Sequence, residues 1–143
     1  MSIKMKLLLL VVAASVINFG CVGGNTYKED LLSNEKWELI LSKTSGPNGT
    51  IDNYAKLKAC ERDNRYNFKP DRNLEIDEGL SKCNPNDPQT YIEGKWSFSD
   101  DETHLSLNEI EYFIIQFTDG ELMLRSDIEE NGQSITVELS FRR

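Results

Sequence analysis

The chain has 143 residues and a net charge of −8, from 24 acidic and 16 basic residues with a single histidine. A chain this acidic has little attraction for nucleic acid or for anionic membrane surfaces, so we do not expect a nucleic-acid partner. Its length supports one compact domain with its own hydrophobic core.

The first 21 residues have the pattern of an export signal. Two lysines precede an apolar stretch at residues 7–19, which is short for a transmembrane helix. Gly20 and Cys21 follow, and this junction resembles the lipobox of bacterial lipoproteins. The resemblance implies a signal peptide at 1–20, a lipid on Cys21, and attachment to a membrane of the cell envelope, with the outer membrane as the expected site. An ordinary cleaved signal that leaves Cys21 as a free thiol is the alternative.

Residues 21–34 are expected to form a lipidated tether. Gly23 and Gly24 favour flexibility, while Leu31 and Leu32 among polar residues predict one short helical turn. The folded domain is then expected at residues 35–143.

From residue 36 onward, apolar side chains recur with period two in short runs bounded by Gly, Pro, Asn and Asp. This pattern is typical of antiparallel strands with one buried face. Trp37, Leu39 and Leu41 mark the first run, and the clearest alternation is the last, at residues 135–141. About eight runs are present, the number at which an up-and-down sheet can close. The sequence therefore predicts an all-β fold, an antiparallel up-and-down β-barrel of about eight strands.

Short turns separate the runs, so neighbours in sequence should pair in space. Asp119-Gly120 and Asn131-Gly132 tolerate the positive φ of tight hairpin turns. The predicted hairpins join 65–68 to 74–76, 96–98 to 105–107, 112–118 to 121–126, and 121–126 to 134–141.

Cys60 and Cys83 flank the first of these hairpins. When Phe68 is paired with Leu74, the two cysteines lie within one residue of being opposite each other, so a bridge is geometrically plausible. With Cys21 lipidated, they are an even pair in an oxidising compartment. We expect a disulfide. A reactive or metal-binding pair is the alternative, although there is no C-x-x-C spacing and no nearby histidine.

Five short motifs follow one another in order, at residues 35–39, 60–63, 77–79, 94–97 and 105–107. Together with the cysteine pair, they resemble the lipocalin-like domain common in small Bacteroidetes lipoproteins, over nearly all of residues 35–143. The resemblance implies a lipocalin-like (calycin-like) barrel of antiparallel strands and does not identify a ligand.

The sequence shows no catalytic or metal-binding constellation. His104 follows three acidic residues at a predicted hairpin tip, which offers neither a nucleophile nor a sheltered pocket. The run from Asp71 begins like a calcium loop, but Ile76 stands where the sharp turn requires glycine. We expect no enzyme activity, no cofactor and no metal site.

Aromatic residues fall on the predicted inward faces of the strands: Trp37, Tyr66, Phe68, Trp96, Phe98, Phe113, Phe117 and Phe141. The predicted ligand-binding wall consists of Trp37, Phe68, Trp96, Phe113 and Phe141. An eight-stranded barrel is just wide enough either to be filled by side chains or to hold one small ligand. A filled core is therefore the alternative.

Two functions follow. The first is a membrane-anchored module that binds a small apolar or amphipathic molecule at the cell envelope. The second is a protein-interaction or inhibitor module with a filled barrel and contact loops at 43–51 and 82–89. A cavity of several hundred Å³ would favour the first, and a solid interior the second.

Overall fold

The computed structural model describes residues 26–143. The predicted signal peptide, Cys21 and the first five residues of the predicted tether lie outside the described residues, so lipidation of Cys21 stays a prediction. The described chain forms α1 (Tyr27–Ser33), β1 (Trp37–Gly46), β2 (Gly49–Asp52), α2 (Asn53–Lys56), α3 (Ala59–Arg62), β3 (Arg65–Phe68), β4 (Asn73–Asp77), β5 (Thr90–Phe98), β6 (His104–Leu107), β7 (Ile110–Phe117), β8 (Glu121–Glu130) and β9 (Gln133–Arg142). None of the helices in this part of the chain has the length and apolar character needed to cross a membrane.

Eight strands close into an antiparallel barrel. From β3 to β9 each strand pairs with the next one along the chain, and β9 pairs with β1 to close the ring. The shortest ladder joins β1 to β3 and contains only Trp37 with Tyr66 and Glu38 with Arg65. The prediction of an all-β up-and-down barrel of about eight strands is confirmed.

Strand β2 lies outside the closed ring. It pairs with the far half of β1, from Lys43 with Asp52 to Gly46 with Gly49. The predicted contact loop at 43–51 is therefore wrong, since most of it is a strand hairpin. The segment is rich in Ser, Thr and Gly and lacks the apolar alternation that would have indicated a strand. We call this hairpin, together with the far ends of β8 and β9, the arm (residues 43–52 and 128–136).

Helix α1 covers one end of the barrel, which we call the closed end. Thr26 and Glu29 form a capping box at its first turn. Leu32 is fully buried, and its carbonyl accepts a hydrogen bond from the indole Nε1 of Trp37 at 2.9 Å. The guanidinium of Arg143 lies 4.5 Å from the Trp37 ring centroid, in cation–π contact. The helix thus packs against the barrel as a plug.

The hydrophobic core occupies the barrel next to this plug. Phe68 lies at its centre, with its ring nearly perpendicular to the rings of Trp96 and Phe141 at centroid distances of 6.0 and 6.3 Å. Each such side chain contributes roughly 1.5–3 kcal/mol on burial. The buried cluster comprises Leu32, Trp37, Phe68, Leu74, Trp96, Leu105, Leu107, Tyr112, Leu122, Leu124 and Phe141.

Candidate functional site

Four of the five residues predicted to line a ligand cavity belong to this packed core. Trp37 and Phe68 are fully buried, and Trp96 and Phe141 are 2% exposed. None of the main cavities in the described residues is lined by any of the four. The Phe68 ring packs against Trp96 and Phe141, and the Trp37 ring packs against Phe117, so the closed end is filled. Ligand binding by these residues stays a prediction.

The fifth residue, Phe113, does not face the interior, and this prediction is wrong. Its neighbour Tyr112 is buried opposite Leu105, while Phe113 is 50% exposed and lies opposite His104. The two outward rings are 4.3 Å apart. The run at residues 112–115 is apolar on both faces, so its alternation gave no reliable indication of which side is buried.

The opposite end of the barrel lies next to α2 and α3, both of which contact β1. We call it the mouth and define it by the residues Leu39, Ser42, Asn64, Tyr66, Glu78 and Tyr91. The ladders pair Tyr66 with Ile76 and Ile76 with Tyr91, so these three side chains lie side by side on the inner surface of β3, β4 and β5.

A cavity of about 190 Å³ lies at the mouth. Leu39, Ser42 and Tyr66 form its barrel side, and Asn53 and Leu57 reach it from the α2–α3 segment, with Glu61 and Asn64 completing the lining. The Oδ1 atom of Asn64 is buried without a hydrogen-bond partner among the described residues. The mouth therefore has a small, partly polar cavity, whereas the core at the closed end is filled by side chains.

A second cavity, of about 210 Å³, lies on the arm. Thr44, Ile51 and Ile135 line it, together with the turn at Pro47 and Asn48. Thr44 pairs with both Ile51 and Val137, so these side chains share one face of the sheet. The amide of Asn53, which lines the first cavity, donates to the Thr44 hydroxyl at 2.9 Å. The two cavities are thus neighbours.

Two tyrosines lie in an acidic setting at the mouth. Burial raises the pKa of Tyr66 to about 12, and the nearby Tyr91 and Glu93 add to the shift. Burial also raises the pKa of Tyr91, with further contributions from Glu93, Glu78 and Glu61. Both phenols are therefore neutral hydrogen-bond donors at physiological pH, and negative charge surrounds them.

Glu78 is the most deeply buried charged residue of the mouth. Leu74, Ile76 and Glu78 are buried alternately with the half-buried Glu75 and Asp77, so Glu78 continues the inward face of β4. It is 9% exposed, and its Oε2 atom has no hydrogen-bond partner among the described residues. A buried carboxylate oxygen without a partner is unfavourable, and the same holds for the unpaired Oδ1 atoms of Asp63 and Asn64 nearby.

The rim of the mouth is fixed by covalent and polar links. Cys60 and Cys83 are joined by a disulfide with a Cα–Cα distance of 5.2 Å, which confirms the predicted pairing. One oxygen of Asp63 accepts hydrogen bonds from the backbone N–H groups of Leu80 and Ser81 and from the Ser81 hydroxyl. Burial alone would raise the pKa of Asp63, but these bonds outweigh it and lower the pKa.

Other polar features lie on the outer surface. The largest clefts, of about 310 and 400 Å³, cross the seam between β1 and β3 and share Glu38 and Arg65. His104 is partly exposed, with its ring nitrogens near Thr103 and Glu111. Across residues 26–143, no group of three or more His, Cys, Asp or Glu is placed to hold a metal ion.

Sequence reasoning did not select Glu78, Tyr91 or Glu93 as site residues. Glu78 lies within one of the motif segments, at 77–79, and that motif gives no indication that Glu78 is buried. Glu93 is the extra residue of a bulge opposite Leu74 and Glu75, and Tyr91 lies just before it, where strict alternation fails. The one sequence feature that could have indicated Glu78 is its spacing, since it continues the alternation of Leu74 and Ile76.

A family model described as a lipocalin-like domain matches residues 34–124. The matched segment begins just before β1 and ends within β8, so it includes the mouth and both disulfide cysteines. No curated protein and no solved structure gives a significant match to the chain.

Proposed function

This chain belongs to the lipocalin-like domain family, and we propose on that basis that it binds one small amphipathic molecule at the mouth of its barrel, without chemical conversion. The observation that carries the proposal is the contrast between two regions of the molecule. The closed end is packed with aromatic rings, while one cavity lies at the mouth and a second lies beside it on the arm. Sites for drug-sized ligands occupy about 300–1,000 Å³. Each cavity here is smaller, which favours a small ligand or one that extends from the mouth onto the arm.

The arm supplies an apolar surface for such a ligand. Ile51 and Ile128 are 47% and 39% exposed, and Ile128 pairs with Ile135 on the same face as Val137. Exposed isoleucines beside an open cavity are a binding surface that a fully packed barrel does not need. This position differs from the deeper aromatic wall predicted from the sequence.

The test compares two isoleucines. Ile51→Ser removes an apolar side chain from the arm cavity, and Ile92→Ser removes one that is similarly exposed but pairs with the outward Glu75. Calorimetric titration with short alkyl alcohols should show binding to the wild type and the Ile92 variant and weaker binding to the Ile51 variant. Equal affinity in all three proteins would contradict the proposed site.

We further propose that the protein is held at the cell envelope, on the outer membrane, by a lipid on Cys21. Gly20-Cys21 after a short apolar segment supports this proposal. Several acyl chains at about 0.8 kcal/mol per buried methylene anchor firmly. Cys21→Ser should move the protein from the detergent phase to the aqueous phase in a partitioning assay, and unchanged partitioning would contradict it.

Protein interaction is the second candidate function. Leu80 is 97% exposed in the disulfide loop, and Phe113 and Ile115 are about half exposed on the outer face of β7. Failure of all small-molecule titrations, together with binding of a protein partner that Leu80→Ser abolishes, would favour this second function.

A further inference from the structure

The cavity of about 190 Å³ at the mouth has a lining that is polar but nearly uncharged. Its uncharged polar side chains are those of Ser42, Asn53, Asn64 and Tyr66. Among the described residues that line it, Glu61 is the one charged residue, and none is basic. The cavity therefore offers hydrogen bonds to a ligand but no cation for an anionic group.

Tyr66 provides a hydrogen-bond donor in this cavity. Its ring packs edge-on against Phe141 at a centroid distance of 5.2 Å, which fixes the ring at the top of the core. Burial raises the pKa of Tyr66 to about 12, so the phenol stays protonated. The hydroxyl has no hydrogen-bond partner among residues 26–143, and its oxygen is not one of the enclosed unpaired atoms of the structure. The Tyr66 O–H can therefore donate to a ligand.

Asn53 and Ser42 provide acceptors. The Asn53 amide already donates to the Thr44 hydroxyl at 2.9 Å, which leaves the carbonyl oxygen of Asn53 as its acceptor. The Ser42 hydroxyl can accept or donate. A head group that accepts from Tyr66 and also donates to Asn53 uses both sides of this set. A hydroxyl or a carboxamide can do so, whereas a carboxylate cannot donate.

The charges around the cavity oppose an anion. Glu61 lies in the lining, and the negative charge of Glu93 contributes to the raised pKa of Tyr66. The guanidinium of Arg62 donates to the Ala55 carbonyl and is not part of the lining. An anionic head group would lose its hydration at this position without gaining an opposite charge.

A cationic head group gains little in the same cavity. Glu61 is its one possible partner in the lining, and the Oε2 atom of Glu61 already accepts the backbone N–H of Lys58 at 2.7 Å. An ion pair with a partly exposed carboxylate of this kind contributes little to binding.

We propose that the ligand carries an uncharged head group that both donates and accepts hydrogen bonds, a hydroxyl or a carboxamide, and that the mouth cavity rejects carboxylates. Tyr66 and Asn53 hold the head group, and Leu39 and Leu57 of the same cavity contact the apolar part. The inference rests on the proposed function and adds the chemistry of the head group. Fatty-acid anions are thereby excluded, although they share the apolar chain.

The experiment uses three probes with a six-carbon chain, hexanamide, hexanoate and hexylamine. Hexanamide and hexanoate have nearly the same shape and differ in charge. Each probe is titrated into the purified full chain, and two-dimensional NMR spectra of the backbone amides report both the affinity and the position of binding.

Two pairs of variants separate the contributions. Tyr66→Phe removes the proposed donor, and Tyr112→Phe makes the same change at a buried tyrosine that lines none of the main cavities described above. Glu61→Gln removes the acid of the lining, and glutamine can still accept the Lys58 N–H. Glu35→Gln makes the same change in net charge at an outer cleft of the barrel. Thermal unfolding shows that each variant is folded.

We expect hexanamide to bind about tenfold more tightly than hexanoate, with shifts at the amides of the cavity lining. Tyr66→Phe should weaken hexanamide binding by about threefold to tenfold, the effect of one neutral hydrogen bond, and Tyr112→Phe should leave it unchanged. Glu61→Gln should raise the hexanoate affinity about threefold or more, while Glu35→Gln should not.

Four results would overturn the inference. If hexanoate binds as tightly as hexanamide, the cavity does not reject anions, and the proposed binding function still stands. If hexylamine binds more tightly than hexanamide, the head group is a cation. If Tyr66→Phe and Tyr112→Phe have equal effects, the Tyr66 hydroxyl is not the donor. If none of the three probes binds, both the inference and the proposed binding function fail.

Discussion

The two ends of the barrel contain similar types of aromatic and charged residues but differ in how these residues are paired. At the closed end, each buried tryptophan has a cation over its ring, Arg143 on Trp37 and Arg72 on Trp96, and each indole N–H donates to a backbone carbonyl. At the mouth, Tyr66 and Tyr91 lie near the acid Glu93, and no cation lies over either ring in the described part of the chain. Cation–π contacts and paired indole N–H groups stabilise a packed core. The comparison assigns stability to the closed end, and recognition at the mouth stays a proposal.

The largest expected effect tests the role of the closed end. Trp37→Ala should lower the free energy of unfolding by about 3–5 kcal/mol, because it empties a fully buried position and removes the contacts with α1 and Arg143. Ile51→Ala on the arm should cost roughly 0.5 kcal/mol, as expected for a half-exposed side chain. Chemical unfolding of both variants measures the difference. Equal losses would mean that the two ends do not differ in stability.

The disulfide tests how the mouth is held. Cys60→Ala combined with Cys83→Ala should lower the free energy of unfolding by about 3 kcal/mol, because the bridge closes a loop with a sequence separation of 23 residues. The core does not depend on the bridge, so the domain should still fold. Near-ultraviolet circular dichroism should retain the tryptophan signal. Loss of that signal would show that the closed end depends on the rim.

Gly79 allows a sharper test of the same rim. It has a φ of +68°, and a Cβ atom at this position would lie 2.1 Å from the Asp63 carbonyl oxygen. Gly132 has a φ of +74° in the β8–β9 turn and has open space around it. Gly132→Ala should cost about 1 kcal/mol from backbone strain alone, and Gly79→Ala about 2–3 kcal/mol, because it also disturbs Asp63.

The two glycine variants should be compared by their midpoints of chemical unfolding. The difference between them isolates the steric contact, since both have nearly the same φ. If the two variants are equally destabilised, the backbone at Asp63 moves to accommodate the new Cβ atom without loss of unfolding free energy. The hydrogen bonds of Asp63 would then not hold the rim in a rigid conformation.

The sequence predicted the framework of the barrel because that framework rests on regular alternation. The pairs of Tyr66 with Ile76 and Phe68 with Leu74 appear as expected, and the same register brought Cys60 and Cys83 together. The hairpin at Asn131-Gly132 has both residues at positive φ, as predicted, whereas the hairpin at Asp119-Gly120 forms without positive φ at either residue. Each of these features depends on a few neighbouring residues or on the pairing of two consecutive strands. They can therefore be predicted from a single sequence.

The site was harder to predict because it depends on interruptions of that alternation. Bulges occur between Leu39 and Leu41, between Leu74 and Glu75, and between Ile114 and Gln116. Each one shifts the inward face by one residue, which moves side chains to the other side of the sheet. Glu78 lies one residue beyond the end of β4, where its N–H donates to the Gln89 carbonyl at 2.9 Å, a tertiary contact without a pattern in the sequence.

Apart from the control variants Ile51→Ala and Gly132→Ala, the smallest expected effect concerns the seam between β1 and β3. The Lys36 ammonium donates to Asp77 at 2.5 Å and Gln89 donates to the other carboxylate oxygen at 2.7 Å. These bonds, with one from the Gly79 N–H, lower the pKa of Asp77 to about 2 from its usual 3.8. Because the folded-state pKa lies below the unfolded-state value, the stabilisation is complete above about pH 5 and is lost as the pH falls toward 2.

Asp77→Asn should therefore reduce stability at pH 7 by about 1–2 kcal/mol, a value reduced by solvent screening at this partly exposed pair. The variant should also lose less stability than the wild type between pH 5 and pH 2, and the two curves should converge at the acid end. Asp101 and Asp127, whose pKa values are also lowered by hydrogen bonds, account for acid sensitivity that remains. Parallel curves of unfolding free energy against pH would show that the Lys36–Asp77 ion pair does not stabilise the seam. In that case the pairing of β1 with β3 would depend on their short two-residue ladder.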